Sequence, residues 1–343
     1  MRGVVKIINP YDAGVFPEGN VILLNSNENP YEPSEEVKKA YIESIGKISR
    51  YPDPSYSKLK EAISEYVGFG TERIAVGCGS SELISRVCDV LLDELDKVVI
   101  PMPSYSLYIS YAMLRNASIL LPVYDGYSIT PEFIEEEKPK LSIICSPNNP
   151  TGNTVKKRVV EKIAENSEYL LIDEAYAEFA ESNLLDMAYE FDNVVILRSF
   201  SKFFGLAGMR VGYAIAGKEI VEAIEKVRLP FAISSPGVAT AISALKSIDY
   251  YIEVKKKILK ERERVYKELK RLGFEVYPSE ANFILFRAEK HLFEKLLAQG
   301  IVVRNLVGLL GLEGNFIRMS IGRREENDRV IKILESECSK TSA

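Results

Sequence analysis

Arg198-Ser199-Phe200-Ser201-Lys202-Phe203-Phe204-Gly205-Leu206-Ala207-Gly208-Met209-Arg210 follows the apolar run Val194-Val195-Ile196-Leu197, and the reading of this join decides the fold. A lysine flanked by hydroxyls, set just past a buried strand and followed by Arg210, suits an amine that condenses with an aldehyde cofactor. Ser199, Ser201 and Arg210 would then hold an anionic group on that cofactor. The plainer alternative is a surface lysine after a buried strand, so the reading depends on what the rest of the chain supplies.

Asp173 closes the strand in Tyr169-Leu170-Leu171-Ile172-Asp173-Glu174-Ala175-Tyr176. It presents a carboxylate at the carboxyl edge of a sheet, where open α/β folds bind ligands. Such an aspartate can keep a heteroaromatic nitrogen protonated, though it can equally cap the next helix. Glu174 is assigned no role. Ser146-Pro147-Asn148-Asn149-Pro150-Thr151-Gly152 is a rigid turn in which Asn149 offers an amide donor, or else an ordinary loop. Gly77-Cys78-Gly79-Ser80-Ser81-Glu82 opens directly into an amphipathic stretch carrying Leu83, Ile84, Val87 and Leu91. The unpaired N–H groups of a helix start bind anions, which makes Ser80 and Ser81 phosphate ligands. Neither GxGxxG nor GK[ST] is present.

These segments, in this order, resemble the motifs of the class I/II aminotransferases, pyridoxal-phosphate (PLP) enzymes of fold type I. The form SKxFGLAGxRxGY, with Asn27-Glu28-Asn29-Pro30 and Arg50-Tyr51-Pro52, is closest to the histidinol-phosphate aminotransferase branch. The resemblance runs from Leu24 to Gly322. It implies Lys202, Asp173 and Tyr176 as catalytic residues, with Asp173 at the pyridine nitrogen and Tyr176 and Asn149 at the ring oxygen. It also implies Ser80, Ser81, Ser199, Ser201 and Arg210 around the cofactor phosphate and Tyr105, in Pro103-Ser104-Tyr105-Ser106-Leu107-Tyr108, stacked on the ring. Tyr51 would reach the phosphate of a neighbouring subunit, making the functional unit a homodimer.

Arg304 ends the apolar strand Ile301-Val302-Val303, and Arg318 lies within Phe316-Ile317-Arg318-Met319-Ser320-Ile321. A guanidinium in such a strand needs an anion, either an internal carboxylate or a ligand held in two-point contact. The resemblance implies that both bind the acidic groups of the substrate, with Asn27 beside them. The implied reaction moves an amino group between L-glutamate and imidazole acetol phosphate in L-histidine synthesis. An aromatic or broad-specificity aminotransferase and a threonine-phosphate decarboxylase share the scaffold. A ligand-binding regulator of the same fold would need a DNA-binding module, for which the stretch before Leu24 is too short. Two departures stand out, Phe203-Phe204 after the lysine and the apolar loop Gly308-Leu309-Leu310-Gly311-Leu312.

The chain has 343 residues, 46% of them hydrophobic and 27% charged, with a net charge of −5, which is the profile of a globular protein with room for two cores. Dispersed charge leaves no basic stripe for nucleic acid and no polybasic membrane patch. No apolar run approaches a membrane span and the start lacks a signal-peptide core, so a cytoplasmic location is expected. Cys78, Cys88, Cys145, Cys338 and the single His291 lack metal-ligand spacing, so no metal is expected.

The expected fold class is α/β, a large domain with a mostly parallel mixed sheet plus a smaller α+β domain. Strands are expected at 98–100, 119–123, 141–145, 170–172, 194–197 and 211–215, then at 274–277, 283–286, 301–304 and 316–321. Helices are expected at about 251–272, 292–298 and 325–335. The domains divide as an arm at 1–35 that joins the small domain, a large PLP-binding domain at 36–245 and a small domain at 246–343.

Overall fold

A computed structural model of the protein describes residues 1–15 and 17–341. In chain order its strands are β1 (Ile22–Leu24), β2 (Ile74–Gly77), β3 (Lys97–Val99), β4 (Ser118–Leu120), β5 (Leu141–Cys145), β6 (Tyr169–Asp173), β7 (Val194–Ser199), β8 (Gly212–Ile215), β9 (Phe283–Arg287), β10 (Ile301–Asn305) and β11 (Phe316–Ser320). Seven of them form a sheet in the order β2-β8-β7-β6-β5-β3-β4. The pairings from β7 through β4 are parallel, whereas β8 runs antiparallel to both β2 and β7. Helices cover both faces, so β5, β6 and β7 are buried almost throughout, and their continuous apolar runs follow from that.

The remaining four form the sheet β1-β10-β11-β9. β1 pairs parallel to β10, so the amino-terminal arm is a structural part of this smaller sheet. Between the sheets runs a long helix, Ile248–Arg271, which buries Tyr251, Val254, Ile258, Val265 and Leu269 at helical spacing. It ends where Gly273 takes φ +86. Tyr251 packs on both Phe203 and Phe204, whose rings are buried, and this places the unusual Phe-Phe pair in the seam between the long helix and the lysine segment. We propose domain boundaries at 35/36 and 245/246 on the basis of sheet membership.

Two expectations need correction and two strands were unforeseen. The segment 274–277 is no strand and makes a single bridge, Val276 to Phe286. Pro278 follows it and has no N–H with which to extend the ladder. The strand expected at 119–123 stops at Leu120 for the same reason, since Pro122 interrupts it and only an isolated Met102 to Val123 bridge continues. β1 and β2 were not expected, because runs this short carry little periodicity. Among the described residues, no helix is long and apolar enough to cross a membrane.

Candidate active site

The carboxyl ends of β5, β6 and β7 lie side by side and deliver the Asn149 turn, Asp173 and the Lys202 segment to one edge of the large sheet. They open onto a cavity of about 340 Å³, also walled by the small sheet and the amino-terminal arm. Every residue expected at the site lines this cavity except Tyr51. Tyr51 is 78% exposed and stacks on Phe231 at 4.2 Å between ring centroids.

Lys202 Nζ donates to the Ser26 carbonyl at 2.7 Å and lies 5.8 Å from the centre of the Tyr176 ring. Burial pushes its pKa down to about 8, with Arg318 and Arg210 acting in the same direction against the opposing pull of Glu28 and Asp173. Roughly a tenth of such an amine is neutral at pH 7, against well under a thousandth for an ordinary lysine. The group is therefore a nucleophile as well as a base.

Asp173 is held from two sides. Its Oδ2 accepts from the Tyr108 hydroxyl at 2.7 Å and its Oδ1 from the Ala175 amide at 3.1 Å. Burial raises its pKa, and the Tyr108 and Ala175 donors counteract this. A cationic ring nitrogen beside it would further favour the charged form. Tyr176 Oη accepts from Asn27 Nδ2 at 3.0 Å, which leaves the phenolic proton for another acceptor. Asn27 is fixed in turn by its φ of +53 and by Ser320 Oγ, which accepts from the Asn27 amide at 2.8 Å. The side-chain oxygen of Asn149 accepts from Arg318, which assigns the amide N–H₂ as the group left to donate.

The helix Gly79–Leu91 brings Ser80 and Ser81 of its first turn to the same cavity. Two glycines allow the close approach. A Cβ on Gly212 would lie 2.5 Å from the Ser80 nitrogen, and one on Gly79 would lie 2.6 Å from an Arg210 guanidinium nitrogen. Arg210 itself adopts φ +53 and donates to the Ala207 carbonyl at 3.1 Å and to Ser201 Oγ at 3.4 Å. Ser199 Oγ accepts from the Ser201 amide at 3.1 Å. One cavity thus holds a helix amino terminus with hydroxyls and a guanidinium, an aspartate, and an amine that feels both Arg210 and Asp173, a set that fits the phosphate, ring nitrogen and aldehyde of pyridoxal phosphate respectively.

Arg304 and Arg318 are directly opposite one another across β10 and β11, so two like charges share one face of the small sheet. Their environments differ. Arg304 donates to the backbone carbonyl and, at 3.1 Å, to the carboxylate of Asp12 in the arm, so the internal ion pair is what the structure holds for this residue. Arg318 is buried, donates to Asn149 and to the Asn25 carbonyl at 2.6 Å, and has no carboxylate partner among the described residues. Its Nε makes no hydrogen bond. Burial lowers its pKa. A buried guanidinium in this state has the donors and the charge to take an anion in two-point contact.

Sequence reading missed Tyr108, Ser26 and Asp12. Tyr108 follows Tyr105 by three residues at the start of the helix Leu107–Leu114, whereas Asp12 lies in an arm with no periodicity to read. Glu174, assigned no role, pairs with Arg198 at 2.7 Å, and Arg198 also reaches Glu178 at 3.0 Å, all three buried. This pair of bridges ties the start of the lysine segment to the loop after Asp173.

A family model described as aminotransferase class I and II matches residues 19–334. A protein of Archaeoglobus fulgidus named histidinol-phosphate aminotransferase 2 is 57% identical over 340 residues, covering 97% of this chain and 99% of its own. A histidinol-phosphate aminotransferase of Methanocaldococcus jannaschii is 37% identical, covering 98% of this chain and 96% of its own. Among solved structures, histidinol-phosphate aminotransferase from Sinorhizobium meliloti in complex with pyridoxal-5'-phosphate superposes with a TM-score of 0.88 at 25% identity, covering 98% of each chain.

Proposed function

The chain belongs to the class I and II aminotransferase family, and from that premise we propose that it moves an amino group between L-glutamate and imidazole acetol phosphate in the synthesis of L-histidine. The observation that carries the substrate is the 57% identity, across nearly the whole of both chains, to a histidinol-phosphate aminotransferase. The geometry supports the reaction. Bound pyridoxal phosphate supplies an electron sink for the carbon that bears the amino group. In this reading Lys202 holds the cofactor and moves the proton at that carbon, the task for which a pKa near 8 suits it. Asp173, oriented by Tyr108 and Ala175, keeps the ring nitrogen protonated. Tyr176 and Asn149 donate to the ring oxygen. Arg318 takes the phosphate of one substrate and a carboxylate of the other, because the two half-reactions share one cavity.

We also propose a cytoplasmic homodimer. Ile42 and Ile48, each 65% exposed, and Tyr51 leave an apolar surface around the Tyr51 loop that a second copy would cover, bringing Tyr51 to the partner's phosphate cradle. The test is turnover of histidinol phosphate, phenylalanine, tyrosine and threonine phosphate with 2-oxoglutarate as acceptor. Histidinol phosphate is expected to give the highest kcat/KM. Conversion of phenylalanine without histidinol phosphate would replace this reading with an aromatic aminotransferase.

A further inference from the structure

The apolar turn ahead of Arg318 closes one side of the cavity, and nothing in the cofactor chemistry uses it. Leu306 donates its amide to the Phe316 carbonyl at 2.9 Å, Leu309 to Leu306 at 3.1 Å, and Leu312 to Leu309 at 3.0 Å. Gly308 (φ +81) and Gly311 (φ +88) turn the chain twice, which buries Leu306 and Leu312 and half-buries Leu309 while Val307 and Leu310 stay exposed. Leu306 and Leu312 are buried with Leu285 and Phe316, and Leu309 packs against that cluster. Gly311, at φ +88, presses on the segment that leads to Tyr105, where a Cβ would lie 2.6 Å from the Pro103 nitrogen. Leu306 and Leu309 both line the cavity and are the only leucines that do so among the described residues. A cavity whose polar groups serve cofactor and anion thus has one aliphatic wall, braced from behind.

Resting on the reading of the preceding subsection, the geometry points to Leu309 as a specificity-determining residue that, with Leu306, forms the wall against which the planar ring of the amino substrate packs. Glutamate has no ring and uses only the amine and anion groups. Because both substrates enter one cavity, the wall acts on one half-reaction and spares the other. Packing a ring there removes apolar surface of both partners from water.

The test uses the PLP-loaded protein and compares Leu309→Ala with the unsubstituted chain in single-turnover half-reactions with histidinol phosphate and with glutamate. Calorimetry adds the Kd of histidinol phosphate for the pyridoxamine-phosphate form, where no reaction follows. Leu309→Ala is expected to raise both the half-saturating concentration and the Kd for histidinol phosphate by about ten-fold, the scale of a lost leucine contact, and to change the glutamate value by less than about two-fold. Leu312→Ala loosens the same turn without lining the cavity and should leave the ratio between the two substrates unchanged. Equal losses on both substrates with Leu309→Ala, no loss on either, or a ring-selective loss with Leu312→Ala overturns the proposal. If the unsubstituted protein ignores histidinol phosphate and converts phenylalanine, only the preceding reading falls, and the same comparison with phenylalanine decides the wall.

Discussion

Lys202 has a folded pKa of about 8 against an ordinary 10.5, so between those values the unfolded chain binds more protons than the folded one and stability rises with pH. Below pH 8 the folded protein carries a partly buried charge that it would lose by substitution. Cofactor-free Lys202→Met is therefore expected to be more stable than the unsubstituted protein at pH 7, with the advantage shrinking by pH 10. Urea unfolding at the two pH values checks this, and a constant difference would sink the account. In the loaded protein, borohydride should fix the cofactor to Lys202, with mass spectrometry of the digest locating the label. Arg318 is the other residue whose state invites a ligand. Arg318→Gln should lower kcat/KM at least ten-fold for both substrates, the scale of a charge-assisted two-point contact, as read by the two half-reactions separately. Loss confined to glutamate would refute a shared anion site.

The elements that build the site touch at close quarters. β8 runs against the start of the helix Gly79–Leu91, and Gly212 has no room for a methyl group there. Gly212→Ala must move that helix start, so it is expected to weaken PLP binding about ten-fold and to cost about 1–3 kcal/mol of stability, the usual range for overpacking. Gly208, where an added Cβ would meet nothing within 4 Å, provides the control, since Gly208→Ala should change neither. Fluorescence titration of the cofactor-free proteins reads the affinity. Between β6 and β7 the buried Arg198 holds both Glu174 and Glu178. Arg198→Met would leave two buried carboxylates without their cation, and a loss of about 3–5 kcal/mol in chemical unfolding is expected. A loss below about 1 kcal/mol would mean that water reaches the carboxylates.

At the scale of the whole molecule, Tyr51 stands outside its own chain's cavity while the rest of the expected cofactor set stands inside. A shared site predicts complementation. Tyr51→Phe chains mixed with Lys202→Ala chains should form hybrids in which one site takes Lys202 from the first and Tyr51 from the second. The mixture is then expected to exceed the summed activities of the separate variants. Sedimentation of the unsubstituted protein should give a dimer, and a strictly monomeric profile with no complementation would remove the shared site.

Local chemistry carried much of this protein in the sequence itself. A lysine between hydroxyls after an apolar strand, an aspartate at the end of the strand before it, and a serine pair at a helix start are each defined by neighbours a few residues away, and the β5, β6 and β7 runs are apolar because both faces are covered. The α/β class and PLP chemistry were legible for that reason. What remained depended on contacts between distant residues. Arg304 and Arg318 look alike in sequence, yet Asp12, from the far end of the chain, neutralises one and no carboxylate among the described residues neutralises the other. Tyr108 matters because folding carries its hydroxyl to Asp173. The leucine turn became a cavity wall only through the docking of Gly311 on Pro103. Hydrophobic spacing specifies which face of an element is buried, whereas the partner that a buried charge meets is set by the packing of one element on another.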